Sequence, residues 1–225
     1  MDIITTILNN DVEGLRLSLA EKSSLTGYRF DQDKLFDEKF LHWIYTGDTL
    51  LHLAAAGHMP AIVKCLLSAG ADPNSAGNRR RSTPLHYAAD GIVNHDGWDP
   101  VNQVETIRSL VAAGAKVNAA DQNGATPLHR AVRTRCAAAA KFLIAAGANP
   151  ALRNKSGATP FHLAVQNTGR GGTGSDKARL AQRELIELFL ELDKNLIDLT
   201  DHNEKSVSDS AAAGWIKELL EQKRG

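Results

Sequence analysis

A four-residue phrase that returns at a nearly fixed interval constrains this chain more than any other feature. Thr126-Pro127-Leu128-His129 repeats Thr83-Pro84-Leu85-His86, and Thr49-Leu50-Leu51-His52 and Thr159-Pro160-Phe161-His162 are near-copies. Thr49 to Thr83 is 34 residues, Thr83 to Thr126 is 43, and Thr126 to Thr159 is 33. Another 47 residues lead to Ser206, which opens the weaker copy Ser206-Val207-Ser208-Asp209. The base period is about 33, with about ten extra residues in one unit and about fourteen in another. Units this small cannot each enclose a core, so they must stack.

The chemistry of a unit agrees. Thr before Pro starts a helix, since the hydroxyl can cap and proline at the first helical position gives up no needed N–H. A short Ala-rich helix follows, as in Leu53-Ala54-Ala55-Ala56, then a turn at Gly57-His58. The second helix, through Ile62, Val63, Cys65, Leu66 and Leu67, stops at Gly70, a left-handed cap candidate. A second marker keeps the same beat: Ala69-Gly70-Ala71-Asp72-Pro73-Asn74, Ala113-Gly114-Ala115-Lys116-Val117-Asn118 and Ala146-Gly147-Ala148-Asn149-Pro150. Both markers and the period resemble the ankyrin repeat. The resemblance implies an all-α repeat solenoid, helix-turn-helix units joined by β-turn fingers, spanning 1–225 as a single domain.

Residues 1–24 read as a degenerate N-terminal capping repeat, 47–76, 77–120, 121–153 and 154–198 as four repeats, and 199–225 as a C-terminal capping repeat. Between the first two lies an extension, 25–46, rich in aromatics (Tyr28, Phe30, Phe36, Phe40, Trp43 and Tyr45) although aromatics are 5% of the chain. It reads as a local cover on the first repeat, with a short helix at 33–40, or as a lobe that contacts a partner, since Trp and Tyr anchor interfaces. Insertions fall at 90–100 and 169–176, each between the two helices of its unit.

Charge and composition narrow the functional classes. Lys plus Arg and Asp plus Glu are 26 each, so no basic excess points to nucleic acid or an anionic membrane. No apolar run approaches the roughly 20 residues that span a bilayer, and the start, Met1-Asp2-Ile3-Ile4, lacks a basic signal-peptide region. Cys65 and Cys136 form neither a metal pattern nor a disulfide framework. A reduced, cytoplasmic monomer without cofactor or metal is expected, with non-classical export as the alternative.

Motifs that could carry chemistry fail on context. Gly169-Arg170-Gly171-Gly172-Thr173-Gly174 fits the dinucleotide fingerprint literally, but that mechanism needs the glycines to follow a strand and open a helix. The recurring His52, His86, His129 and His162 would lie about 10 Å apart in a stack, too far to share one ion. The resemblance implies that they bond backbone groups and tie adjacent loops. His95-Asp96 is a lone pair of possible ligands. An enzyme or small-ligand site at the two insertions, built on His95, Asp96, Asp99 and the Gly-rich loop, is the rival reading. A separation of about 20 Å between them, two helix spacings, argues against it.

The resemblance implies a concave binding face of finger tips and first-helix residues. Matching positions are Tyr45 and Asp48 in the first finger, and Arg79, Arg80 and Arg81 in the second. They continue with Gln122 and Asn123 in the third finger, Arg130 and Arg133 on its helix, then Lys155 and Gln166 in the fourth unit. The finger Asn78-Arg79-Arg80-Arg81-Ser82 reads as one residue longer than the pattern and lacks its glycine. The face is basic overall, which suits an acidic segment of another protein. The expectation is therefore a non-catalytic protein-binding module, either a resident adaptor or a secreted effector acting on a host protein.

Overall fold

The computed structural model describes residues 2–36, 42–91, 97–166, 176–211 and 213–224. Their helices pair in chain order: α1 (Ile3–Leu8) with α2 (Val12–Glu21), α3 (Leu50–Ala56) with α4 (Pro60–Ser68), and α5 (Pro84–Ala89) with α6 (Pro100–Ala112). Then come α7 (Pro127–Arg133) with α8 (Ala137–Ala145) and α9 (Pro160–Val165) with α10 (Asp176–Leu192), before α11 (Gly214–Arg224). The odd-numbered helices α1 to α9 pack successively as an inner row, and α2 to α10 as an outer row. One continuous core runs between the rows, from Ile7 and Leu15 through Leu66, Leu110, Leu143 and Phe189 to Leu220.

The phrase that marks each unit builds two contacts at once. In α3, α5, α7 and α9 the histidine three residues into the helix turns its Nδ1 back to the backbone N–H of the capping threonine, at 3.0 to 3.2 Å. That is a capping box with imidazole in the usual place of glutamate. With Nδ1 accepting, the proton sits on Nε2, which donates into the next unit. His52 reaches the Ser82 carbonyl, His86 that of Ala125, His129 that of Ala158 and His162 that of Lys205, at 3.0 to 3.2 Å. Burial holds these rings neutral: His86 and His129 are pushed down to about 4, and His52 and His162 are also lowered.

The last unit changes the residue where the thread ends. Ser206 and Asp209 make the same reciprocal cap, with Asp209 accepting from the Ser206 N–H and hydroxyl and Ser206 Oγ accepting from the Asp209 N–H. A carboxylate has no second donor to pass onward, and the first helix is here reduced to a turn.

The second marker supplies a parallel ladder. Gly70, Gly114 and Gly147 all take positive φ, 93°, 87° and 94°, and end the outer helices. Asn74 donates to the Gly114 carbonyl and accepts from Lys116 N; Asn118 donates to the Gly147 carbonyl and accepts from Asn149 N. Histidines thus link the starts of the inner helices, and asparagines link the segments that follow the outer helices.

The two units with insertions share a further device. Their inner helices, α5 and α9, are six residues long where α3 and α7 have seven. The carbonyls thereby released are capped from the preceding unit. His58 Nε2 lies against the carbonyls of Ala88 and Asp90, and Arg135 donates to those of Leu163, Ala164 and Gln166. A glutamine of each unit's own outer helix adds to this: Gln103 reaches Ala88 and Ala89, and Gln182 reaches Ala164 and Gln166.

Two expectations need correction. Lys34–Phe36 is not helical: it is strand β1, paired antiparallel with β2 (His42–Ile44) in the register Leu35 opposite Trp43. The side chains alternate, Phe36 and Ile44 inward, Leu35 and Trp43 outward, a period of two that a helix cannot present. The second finger also has the ordinary length. Asn78 Oδ1 accepts from Arg80 N and Ser82 N, just as Asp121 accepts from Asn123 and Ala125 and Asn154 from Ser156 and Ala158. Arg81 occupies the place of Gly124 and Gly157 and takes φ 52° where they take 72° and 79°.

Candidate partner-binding surface

The fingers line up tip to tip. Gln122 N donates to the Arg80 carbonyl, Lys155 N to that of Asn123 and His202 N to that of Ser156, at 2.7 to 3.1 Å. Gln122, Asn123 and Lys155 thus sit on one continuous edge with exposed side chains, together with exposed Arg79 and Arg81. No ion pair engages Arg81 or Lys155 among the described residues.

Other residues expected on this face lie beneath it. Asp48 is fully buried: its carboxylate accepts from Tyr45 N at 2.7 Å, Asn78 Nδ2 at 2.7 Å and the Tyr87 hydroxyl at 2.6 Å. It holds the first finger together and offers nothing to a partner. Arg130 is also buried, bonded to Asp90 at 2.9 Å and to Asp121 at 2.6 Å. Burial alone would raise the Asp90 carboxyl, but Arg130, His42 and Arg133 outweigh it and hold it well below the usual carboxylate range. Arg133, partly exposed, is drawn to the same carboxylate at 3.1 Å. Arg130 and Arg133, expected on the basic face, therefore pair with buried acids.

The fourth residue after each capping position shows how the inner face is used. It is Leu53, Tyr87, Arg130 and Leu163 in successive units. Leu53 and Tyr87 are buried, Arg130 is ion-paired beneath the surface, and Leu163 is half-exposed. The extension accounts for the first two. β2 packs on α3, and the His42 ring lies 4.8 Å from that of Tyr87 with its Nε2 3.7 Å from Asp90. Phe30 joins the first finger through both backbone groups, donating to the Asp48 carbonyl and accepting from Gly47 N. Units one and two are thus lined by the chain's own hairpin, and the inner face opens at units three and four. Gln166 is half-buried at the end of α9, its carbonyl capped by Arg135 and Gln182.

The second finger reaches back over the extension. The guanidinium groups of Arg79 and Arg80 lie 4.9 and 4.7 Å from the Tyr45 ring, and Arg79 pairs with Asp33 at 2.7 Å. Asp33 also accepts from the N–H and hydroxyl of Thr46; that bonding, with the arginines, holds its carboxyl below the usual range.

Lys177, at the start of α10, holds its ammonium 5.8 Å from the centre of the Trp98 ring, at the end of the first insertion. His95, Asp96 and the Gly-rich segment 169–174 lie outside the described residues, while Asp99 caps α6 by accepting from Val101 N. No group of three or more His, Cys, Asp or Glu among the described residues is placed to hold a metal ion. No helix among them is long and apolar enough to cross a membrane.

The repeat unit is now defined by its cap, its histidine thread and its finger register, and sequence comparison decides the family. Residues 100–201 match the model for ankyrin repeats (3 copies), and residues 46–78 match the ankyrin repeat, together more than half of the 225 residues. The chain belongs to the ankyrin repeat family. Ankyrin repeats are generally protein-protein interaction modules and are typically non-catalytic. Within this ankyrin protein the residues that sequence reasoning missed are Arg135, Gln103 and Gln182. Their signal was present, since Gln103 and Gln182 sit at matching positions of the two inserted units.

Proposed function

We propose that the chain is a non-catalytic binding module that receives an acidic segment of another protein along its finger tips and over the open inner face of units three and four. One observation carries this reading: two exposed cations of the tip edge with no ion pair among the described residues, Arg81 and Lys155, stand on nearby fingers with Gln122 and Asn123 between them. Asp90 and Asp121, which lie beneath that edge, are buried and already matched by Arg130. An exposed cation row over internally neutralised acids draws in carboxylates, and Gln122, Asn123 and Gln166 add neutral donors. The module acts as a monomer spanning 1–225 as one stack, in the cytoplasm, and takes neither cofactor nor nucleic acid. A secreted effector would use the same edge on a host protein.

The test is affinity capture with the intact chain and with Arg81→Ala/Lys155→Ala. Loss of acidic partners on the double variant, with an unchanged melting temperature, supports the reading. Undiminished capture removes it.

A further inference from the structure

The β1–β2 hairpin does more than line the first two units. Its outward face carries Leu35 and Trp43, directly opposite each other and 37% and 44% exposed, two of the few large apolar side chains left in water among the described residues. Their inward neighbours Phe36 and Ile44 already hold the hairpin down, so packing of the hairpin does not require an apolar outward pair. Trp43 stands two residues before Tyr45, about 7 Å along an extended chain. Tyr45 is the ring that Arg79 and Arg80 cover. An exposed apolar pair therefore borders a finger of three arginines.

What that finger accepts is already visible within the chain. The Asp33 carboxylate sits on Arg79 at 2.7 Å, which leaves Arg80 and Arg81 to carboxylates from elsewhere. We infer that the outer face of the hairpin and the second finger form one docking surface for a partner segment that places a large apolar side chain beside two or more carboxylates. The apolar side chain packs on Leu35 and Trp43, and the carboxylates bond Arg80 and Arg81. A flat aromatic next to guanidinium groups is the composition that concentrates binding energy at interfaces. This rests on the acidic-segment reading above and adds the apolar anchor and its location.

A phage-displayed random dodecapeptide library panned on the full chain tests it. Enriched peptides should combine acidic residues with one Leu, Phe or Trp. A synthetic peptide of that sequence should bind about tenfold more weakly to Leu35→Ser/Trp43→Ser and to Arg80→Ala/Arg81→Ala. Both variants should melt like the wild type; if the first does not, Trp43→Gln alone replaces it. Acidic peptides that lose affinity on the arginine variant but ignore the hairpin variant would overturn this inference and leave the proposed function standing. Enriched peptides without acidic residues, or no enrichment, would overturn both.

Discussion

Arg130 donates to Asp90 at 2.9 Å and, through its other terminal nitrogen, to Asp121 at 2.6 Å, joining units two and three beneath the surface. All three side chains are less than a tenth exposed. Arg130→Ala leaves two carboxylates buried with reduced compensation, and breaking such a pair costs about 3–5 kcal/mol. Urea denaturation should show that loss, whereas Arg81→Ala on the tip should shift the midpoint little. A small effect of Arg130→Ala would mean that water or Arg133 replaces it.

The residues around Arg130 show what a sequence can and cannot reveal. Capping threonines, thread histidines and left-handed glycines each act within a unit or on its neighbour, so one local phrase exposes them. The burial of Arg130 depends on Asp90, 40 residues away, and on Asp121 in its own finger, and only the stack brings these together. The strand within the extension is obscured for a different reason. The alternation of Lys34-Leu35-Phe36 and His42-Trp43-Ile44 is a strand signal, but three-residue strands are too short for periodicity to outweigh the helical context of the chain.

Histidine protonation should set the acid limit of the fold. His52, His58, His86, His129 and His162 are all lowered in the folded state by burial, His58, His86 and His129 to about 4. Because the folded values lie below the unfolded value of about 6.5, the unfolded chain binds more protons between those limits. The stabilisation is therefore fully present above that range and is lost as pH falls, by up to about 1.4 kcal/mol per pH unit for each ring. Urea midpoints at pH 7.5, 6 and 5 should fall steeply. His129→Gln should reduce the slope as well as the stability; an unchanged slope would remove His129 from the account. Asp90 and Asp121 are lowered too, and their stabilisation goes only at still lower pH.

Arg81 is a side chain in a glycine position. Its φ of 52° matches the left-handed residues Gly124 and Gly157 of the neighbouring fingers. Left-handed geometry costs a non-glycine residue about 1–2 kcal/mol, partly offset in a glycine variant by the freedom of its unfolded chain. Arg81→Gly should therefore raise stability by up to about 1 kcal/mol while weakening the acidic partner. Opposite signs for folding and binding are expected where strain is retained for function. If stability falls instead, Arg81 contributes a folded-state contact worth more than the strain.

Arg135 and Gln182 converge on the same two carbonyls, those of Ala164 and Gln166, from different units. Arg135 is almost wholly buried, and that burial lowers its guanidinium to about 10, with backbone oxygens at the end of α9 as its partners. Arg135→Met keeps apolar volume but removes donors from three acceptors, at about 1–3 kcal/mol for an acceptor left unsatisfied. Gln182 still serves two of the three, so the single change should cost about 2–4 kcal/mol in all. Gln182→Leu alone should cost less, since Arg135 remains. Made together, the two changes strip Ala164 and Gln166 of both donors, and the double variant should lose about 0.5–3 kcal/mol beyond the sum of the singles. Additive losses in a denaturant double-mutant cycle would show that the two side chains act independently. Hydrogen exchange should then locate the damage: opening confined to α9 and α10 identifies a joint between units, whereas uniform loss of protection makes Arg135 part of the common core.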